Sequence, residues 1–122
     1  MIYTTYFAKL KKLPKDIIPI AICQWIPEQL RSSCFHYREL APSVDIFMDY
    51  KHTGDTEQFT KSYNERILAR LDPHYIAAAL RHWVGDKDFA LVCYEKSSDF
   101  CHRHLVADWF RAAGYEVKEF DT

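Results

Sequence analysis

From Cys93 to His104 the sequence reads Cys-Tyr-Glu-Lys-Ser-Ser-Asp-Phe-Cys-His-Arg-His, which puts two thiols, a lysine, an arginine and two histidines within twelve residues. A cysteine in the first turn of a helix feels the positive end of the dipole, and neighbouring cations favour its thiolate further. Cys101 is therefore a candidate nucleophile or redox thiol, with His102 as proton carrier and Glu95 as an acid, base or orienting group. Arg103 and Lys96 are candidate holders of a phosphate or carboxylate, the arginine through its planar, bidentate fork. Packing roles compete with these. Cys101 also continues the stripe of Leu105 and Trp109 at four-residue spacing, Cys93 closes an apolar run, and Arg103 could be an exposed partner of Glu95 or Asp99. His104 and Asp108 are spaced as an exposed surface pair.

A second group, Arg31-Ser32-Ser33-Cys34-Phe35-His36-Tyr37-Arg38, mixes basic and aromatic residues. It is either the far wall of a pocket, with Arg38 binding substrate, or a solvated loop anchored by Phe35 and Tyr37. Lys51, after Tyr50, would add a cation to the same cleft. No metal or other cofactor is expected for the cysteine enzyme. The alternative is a metal site formed by Cys93, Cys101 and His102 with Cys34 or His36, although seven residues between Cys93 and Cys101 match no common zinc knuckle. A third possibility is an interaction module binding nucleic acid through Lys9, Lys11, Lys12, Arg31 and Arg38.

These residues need a scaffold. Ile2 to Phe7 is rich in β-branched and aromatic residues and predicts a strand. Ile17 to Cys23 predicts a second, with Pro19 as an obstacle inside it. Gln24 to Ser43 has no clean period and is expected to be irregular, with one short helical turn. Pro42-Ser43 then opens a helix through Val44, Ile46, Phe47 and Tyr50, stopped near Gly54. Asp55 and Gln58 resemble a capping box ahead of a helix carrying Phe59, Tyr63, Ile67, Leu68 and Leu71. Asp72-Pro73 starts the next helix, with Ile76, Ala77, Leu80, Trp83 and Val84 on its buried face and Gly85 ending it. Phe89 to Tyr94 is a continuous apolar run, expected as the central strand of a parallel sheet. The last helix is predicted from about Ser98 or Asp99, with Leu105, Val106, Trp109 and Phe110 inward, and Tyr115 to Phe120 as an edge strand. This order predicts a single α/β domain, residues 1–122, a three-layer sandwich with a mostly parallel sheet flanked by helices.

At 122 residues the chain can bury a core without staples, and no linker or repeat divides it. Sixteen basic residues against seventeen acidic ones give a formal charge of -1, so no global field draws it to nucleic acid or to an acidic membrane. Nothing at Met1 to Tyr6 resembles a secretory leader, and no apolar run approaches the roughly 20 residues a spanning helix needs. A cytoplasmic setting with all four thiols free is the expectation.

The phrases Ala90-Leu91-Val92-Cys93-Tyr94-Glu95-Lys96 and Phe100-Cys101-His102-Arg103-His104-Leu105-Val106-Ala107 resemble the signature of domain of unknown function 488. Leu40-Ala41-Pro42-Ser43, Tyr50-Lys51 and Phe59 with Tyr63 fit as well, so the resemblance runs from about Ile17 to Gly114. It implies a small α/β domain in which Cys93, Glu95, Lys96, Cys101, His102 and Arg103 act as one site, and it implies no particular reaction. The expected function is an enzyme or ligand-binding domain for a small anionic substrate, phosphate-bearing and related to nucleotides or nucleic acid.

Overall fold

A computed structural model describes residues 1–122. Its core is a five-stranded, wholly parallel sheet in the order β3-β2-β4-β1-β5. The strands are β1 (Ile2–Tyr6), β2 (Ile17–Ala21), β3 (Phe35–His36), β4 (Asp88–Cys93) and β5 (Val117–Glu119). The apolar run predicted as central is central: β4 lies between β1 and β2 and is buried along Phe89–Cys93. Pro19 is accommodated because β3 pairs only with Ile20 and Ala21, so position 19 has a strand on one side alone and loses no ladder bond there.

Four helices follow the predicted order: α1 (Val44–Thr53), α2 (Thr56–Arg66), α3 (Pro73–Val84) and α4 (His102–Ala112). Their ends are chemically specified. Gly54 takes the left-handed conformation after α1, at φ 66°. The Asp55 carboxylate accepts the Gln58 amide at 3.0 Å, although the Gln58 side chain turns to Ser62 instead of completing a capping box. Asp72 accepts the His74 amide at 2.9 Å, with Pro73 at the first helical position.

The larger apolar cluster joins Ile2, Ile20, Phe89 and Leu91 of the sheet to Phe59, Tyr63, Ile76, Leu80, Val106 and Phe110 of the helices. Burying each such large side chain contributes about 1.5–3 kcal/mol. A smaller cluster gathers Phe7, Ala21, Cys23, Ile26, Val92, Cys93 and Cys101 at the carboxyl ends of the strands. Trp83 departs from the predicted buried face. It is 42% exposed and rests on Phe35 and Tyr37, because the segment before α1 lies across the end of α3. That segment holds two short 3-10 turns, Glu28–Leu30 and Arg38–Leu40, and the edge strand β3, where one helical turn was expected. No helix is long and apolar enough to cross a membrane.

A cavity at the carboxyl ends of β2 and β4

The chain leaves β2 at Ala21 and β4 at Cys93, and α4 starts directly beside them. A cavity of about 300 Å³ opens there, lined by Cys23, Gln24 and Trp25 after β2, Cys93, Tyr94 and Glu95 after β4, and Phe100, Cys101 and His102 at the start of α4. Phe47, Tyr50 and Lys51 of α1, Phe59 of α2 and Pro42 close the other side. Its walls are aromatic. Tyr50, Phe59 and Phe100 form a mutual set with ring centroids 5.3–5.4 Å apart, and Trp25 meets Phe47 edge-on at 5.9 Å. The Lys51 ammonium lies 5.3 Å from the Phe47 ring, a cation at the rim of an apolar chamber.

At the floor, the sulfurs of Cys93 and Cys101 are bonded to each other. The expectation of four free thiols is thus corrected for this pair; Cys23 and Cys34 are free. The excursion from Tyr94 to Phe100 returns the chain to the strand it has just left, and the two cysteines flank that return. Helix α4 also starts later than predicted. Cys101 is its N-cap, in extended conformation, and His102 is the first helical residue.

His102 is buried, and its Nε2 lies 2.6 Å from the Ile22 carbonyl oxygen. A carbonyl only accepts, so Nε2 carries the proton and Nδ1 presents its lone pair 3.9 Å from the Cys101 sulfur. Burial lowers the imidazole to about 4, against the opposing pull of the Ile22 bond, and the ring is neutral at neutral pH. One sulfur from each cysteine and a ring nitrogen of His102 all lie within 4.8 Å of one another. Cys23, bonded through its thiol to the Trp25 carbonyl, is pushed up to about 12 by burial and is a neutral wall residue.

Arg103 is the largest departure from sequence-based expectation. It does not face the cavity as an anion holder and is not an exposed partner of Glu95 or Asp99: it is fully buried. Its Nε and Nη2 grip the two oxygens of Glu119 at 3.2 and 2.7 Å, and Nη1 donates to the Glu95 carbonyl at 2.6 Å and to the Cys93 sulfur at 3.3 Å. The guanidinium also lies 5.5 Å from the Tyr6 ring. Burial works to raise the Glu119 carboxyl, yet the bonds from Arg103, Ser97 and Thr4 outweigh it and hold the group below its ordinary value.

Of the residues singled out in the sequence, Cys93, Glu95, Cys101, His102 and Lys51 converge on the cavity. Lys96 is exposed outside it, as are Arg31 and Arg38. Tyr37 is the buried anchor of that basic segment. His104 is half-buried and not an exposed partner of Asp108, which pairs with Arg111 at 3.1 Å. Gln24, Trp25, Phe47 and Tyr94 belong to the lining but carry no motif; only their place after a strand or on a helix that returns over the sheet brings them there. Glu119 was invisible as a site residue because it stands on β5, beside Thr4 of β1, and is delivered to Arg103 by strand order alone.

Residues 2–114 match the family model described as the active DUF488-N3 subclade. No curated protein and no solved structure matches the chain.

Proposed function

We propose that this chain, which belongs to the domain of unknown function 488 family within that subclade, is a cysteine-dependent enzyme acting on a small anionic substrate with a planar ring, of the nucleotide class. The carrying observation is the cavity itself, where aromatic walls enclose a floor bearing Cys101 and His102 and a rim bearing Lys51. A flat ring would enter the space these aromatic walls enclose and stack on the exposed Trp25, while Lys51 and the amides at the start of α4 attract a phosphate. Glu95, at the cavity wall, would accept a ring N–H or carry a proton.

In this reading the reduced form is the working one. His102 Nδ1 is the acceptor for the Cys101 thiol proton, and the bond from Nε2–H to the Ile22 carbonyl keeps the ring from turning away. Because the imidazole is neutral, no ion pair forms in advance; the proton leaves the sulfur only when the sulfur reacts.

The test uses Trp25 fluorescence of the reduced protein, read as the difference from Trp25→Phe, which keeps only Trp83 and Trp109. Nucleoside monophosphates are expected to quench it saturably, more tightly than nucleosides, with K51M bringing the two together. Equal binding of both by the unaltered protein, or binding of neither, would overturn the assignment. Turnover of any nucleotide found to bind is expected to vanish in C101S while binding is retained.

The clustering of Cys93, Cys101 and His102 supports a second reading, a metal site in the reduced protein. Two thiolates and one imidazole are a zinc-type donor set with a fourth position open to the cavity. Stoichiometric zinc in protein purified under reductant without chelator, lost in H102Q, would favour it over a free nucleophile; absence of metal would remove it.

A further inference from the structure

The two sulfurs at the cavity floor sit in different electrostatic surroundings. Cys93 receives a hydrogen bond at 3.3 Å from a permanently charged guanidinium that no water reaches, since Arg103 is fully buried. Cys101 faces the lone pair on Nδ1 of His102, whose ring proton sits on Nε2 and points away to the Ile22 carbonyl. Glu119 balances the guanidinium overall, but it takes Nε and Nη2 and leaves Nη1 directed at Cys93 and the Glu95 carbonyl. When the bond between the sulfurs opens, negative charge is therefore held better on Cys93 than on Cys101.

We infer that Cys93 and Cys101 form a working dithiol–disulfide couple that exchanges with a small aliphatic thiol entering the cavity, Cys101 being the sulfur attacked and Cys93, held by Arg103, the sulfur that leaves. The thiolate of the incoming molecule forms a bond to the Cys101 sulfur as the Cys93–Cys101 bond breaks. The electron pair of that bond departs on Cys93, giving a mixed disulfide at Cys101 and a thiolate at Cys93. A second small thiolate then attacks the sulfur of the bound molecule, releases it as a symmetrical disulfide and leaves Cys101 as a thiolate, which takes a proton from water. Two external thiols are oxidised and one protein disulfide is reduced. Exchange is faster when the leaving thiolate is stabilised, which gives Arg103 a positioning role in this activity. The proposal needs no nucleotide and stands or falls apart from the function proposed above.

Single-cysteine proteins test it, with C93S and C101S each made in a C23S/C34S background and glutathione disulfide as the probe. C93S is expected to form one stable mixed disulfide at Cys101, located by peptide mass spectrometry, whereas C101S is expected to display thiolate absorbance at 240 nm at pH 7 from Cys93. In C101S/R103K that absorbance should fall at least about threefold, since a lysine cannot keep the fork geometry. Thermal melts taken alongside confirm that each variant is folded, and R103K is chosen because it keeps the charge opposite Glu119. C101S without thiolate absorbance at pH 7, or absorbance unchanged by R103K, would overturn the assignment of Cys93 as the leaving sulfur. Failure of C93S to take up glutathione at Cys101 would overturn the exchange itself. Nucleotide binding by reduced protein is unaffected by any of these outcomes.

Discussion

His102 makes the stability of the protein depend on acid in a way that can be isolated. Its imidazole titrates near 6.5 when exposed and is held down to about 4 in the fold, chiefly by burial. The folded state therefore binds fewer protons than the unfolded chain between those values, and stability falls as pH drops. Above about pH 7.5 both states are neutral at this position and the contribution is zero. Near pH 5 the unfolded chain is protonated here and the folded one is not, which costs about 2 kcal/mol; by pH 4 the loss is about 3 kcal/mol, and it levels off below that. The comparison is H102Q, whose amide reaches as far as Nε2 and can still donate to the Ile22 carbonyl but does not titrate. Urea unfolding from pH 8 to 4 is expected to show the unaltered protein losing about 3 kcal/mol more than H102Q. Glu119 and the other carboxylates also weaken with acid, but they do so in both proteins and cancel in the difference. Parallel profiles would refute both the neutral, Nε2-protonated state of His102 and the role for Nδ1 derived from it.

Other expectations concern the surroundings of that ring. Arg103→Met leaves the Glu119 carboxylate half-buried without its cation and should cost about 3 kcal/mol in denaturant unfolding, part of it recovered in R103M/E119Q; additive losses in the double variant would contradict the pairing. Reducing the Cys93–Cys101 bond, which joins positions eight residues apart, should lower stability by about 2.5 kcal/mol through the added freedom of the unfolded chain. No change in midpoint on reduction would mean that the bond adds nothing to the fold. Tyr63→Phe removes the buried hydroxyl that donates to the Leu40 carbonyl and should cost about 1–2 kcal/mol, visible as a lowered Tm.

The α/β class, the central place of Phe89–Cys93, the caps at Asp55 and Asp72 and the gathering of Cys101 and His102 at the end of a strand were all legible in the chain before any fold was known. All of these rest on local rules: apolar runs, side chains reaching amides two or three residues away, and glycine where φ is positive. Family resemblance added that the Cys-His-Arg phrase and its upstream neighbours belong together, and the match over residues 2–114 bears out the family. Sequence could not assign Arg103. A basic residue in the first turn of a helix looks exposed until β5 is known to pair with β1 at Thr4 and Glu119, which places a carboxylate against the guanidinium across sixteen residues of chain. Nor could it join Cys93 to Cys101, whose spacing follows no motif and whose meeting depends on how Tyr94–Phe100 folds back over the sheet. The cavity lining was equally hidden: Trp25, Phe47 and Phe59 come from three separate elements and share a wall only because those elements pack together. Local chemistry fixed which groups are present, and strand order decided which of them face one another, because partners distant in the chain are chosen by topology and not by spacing.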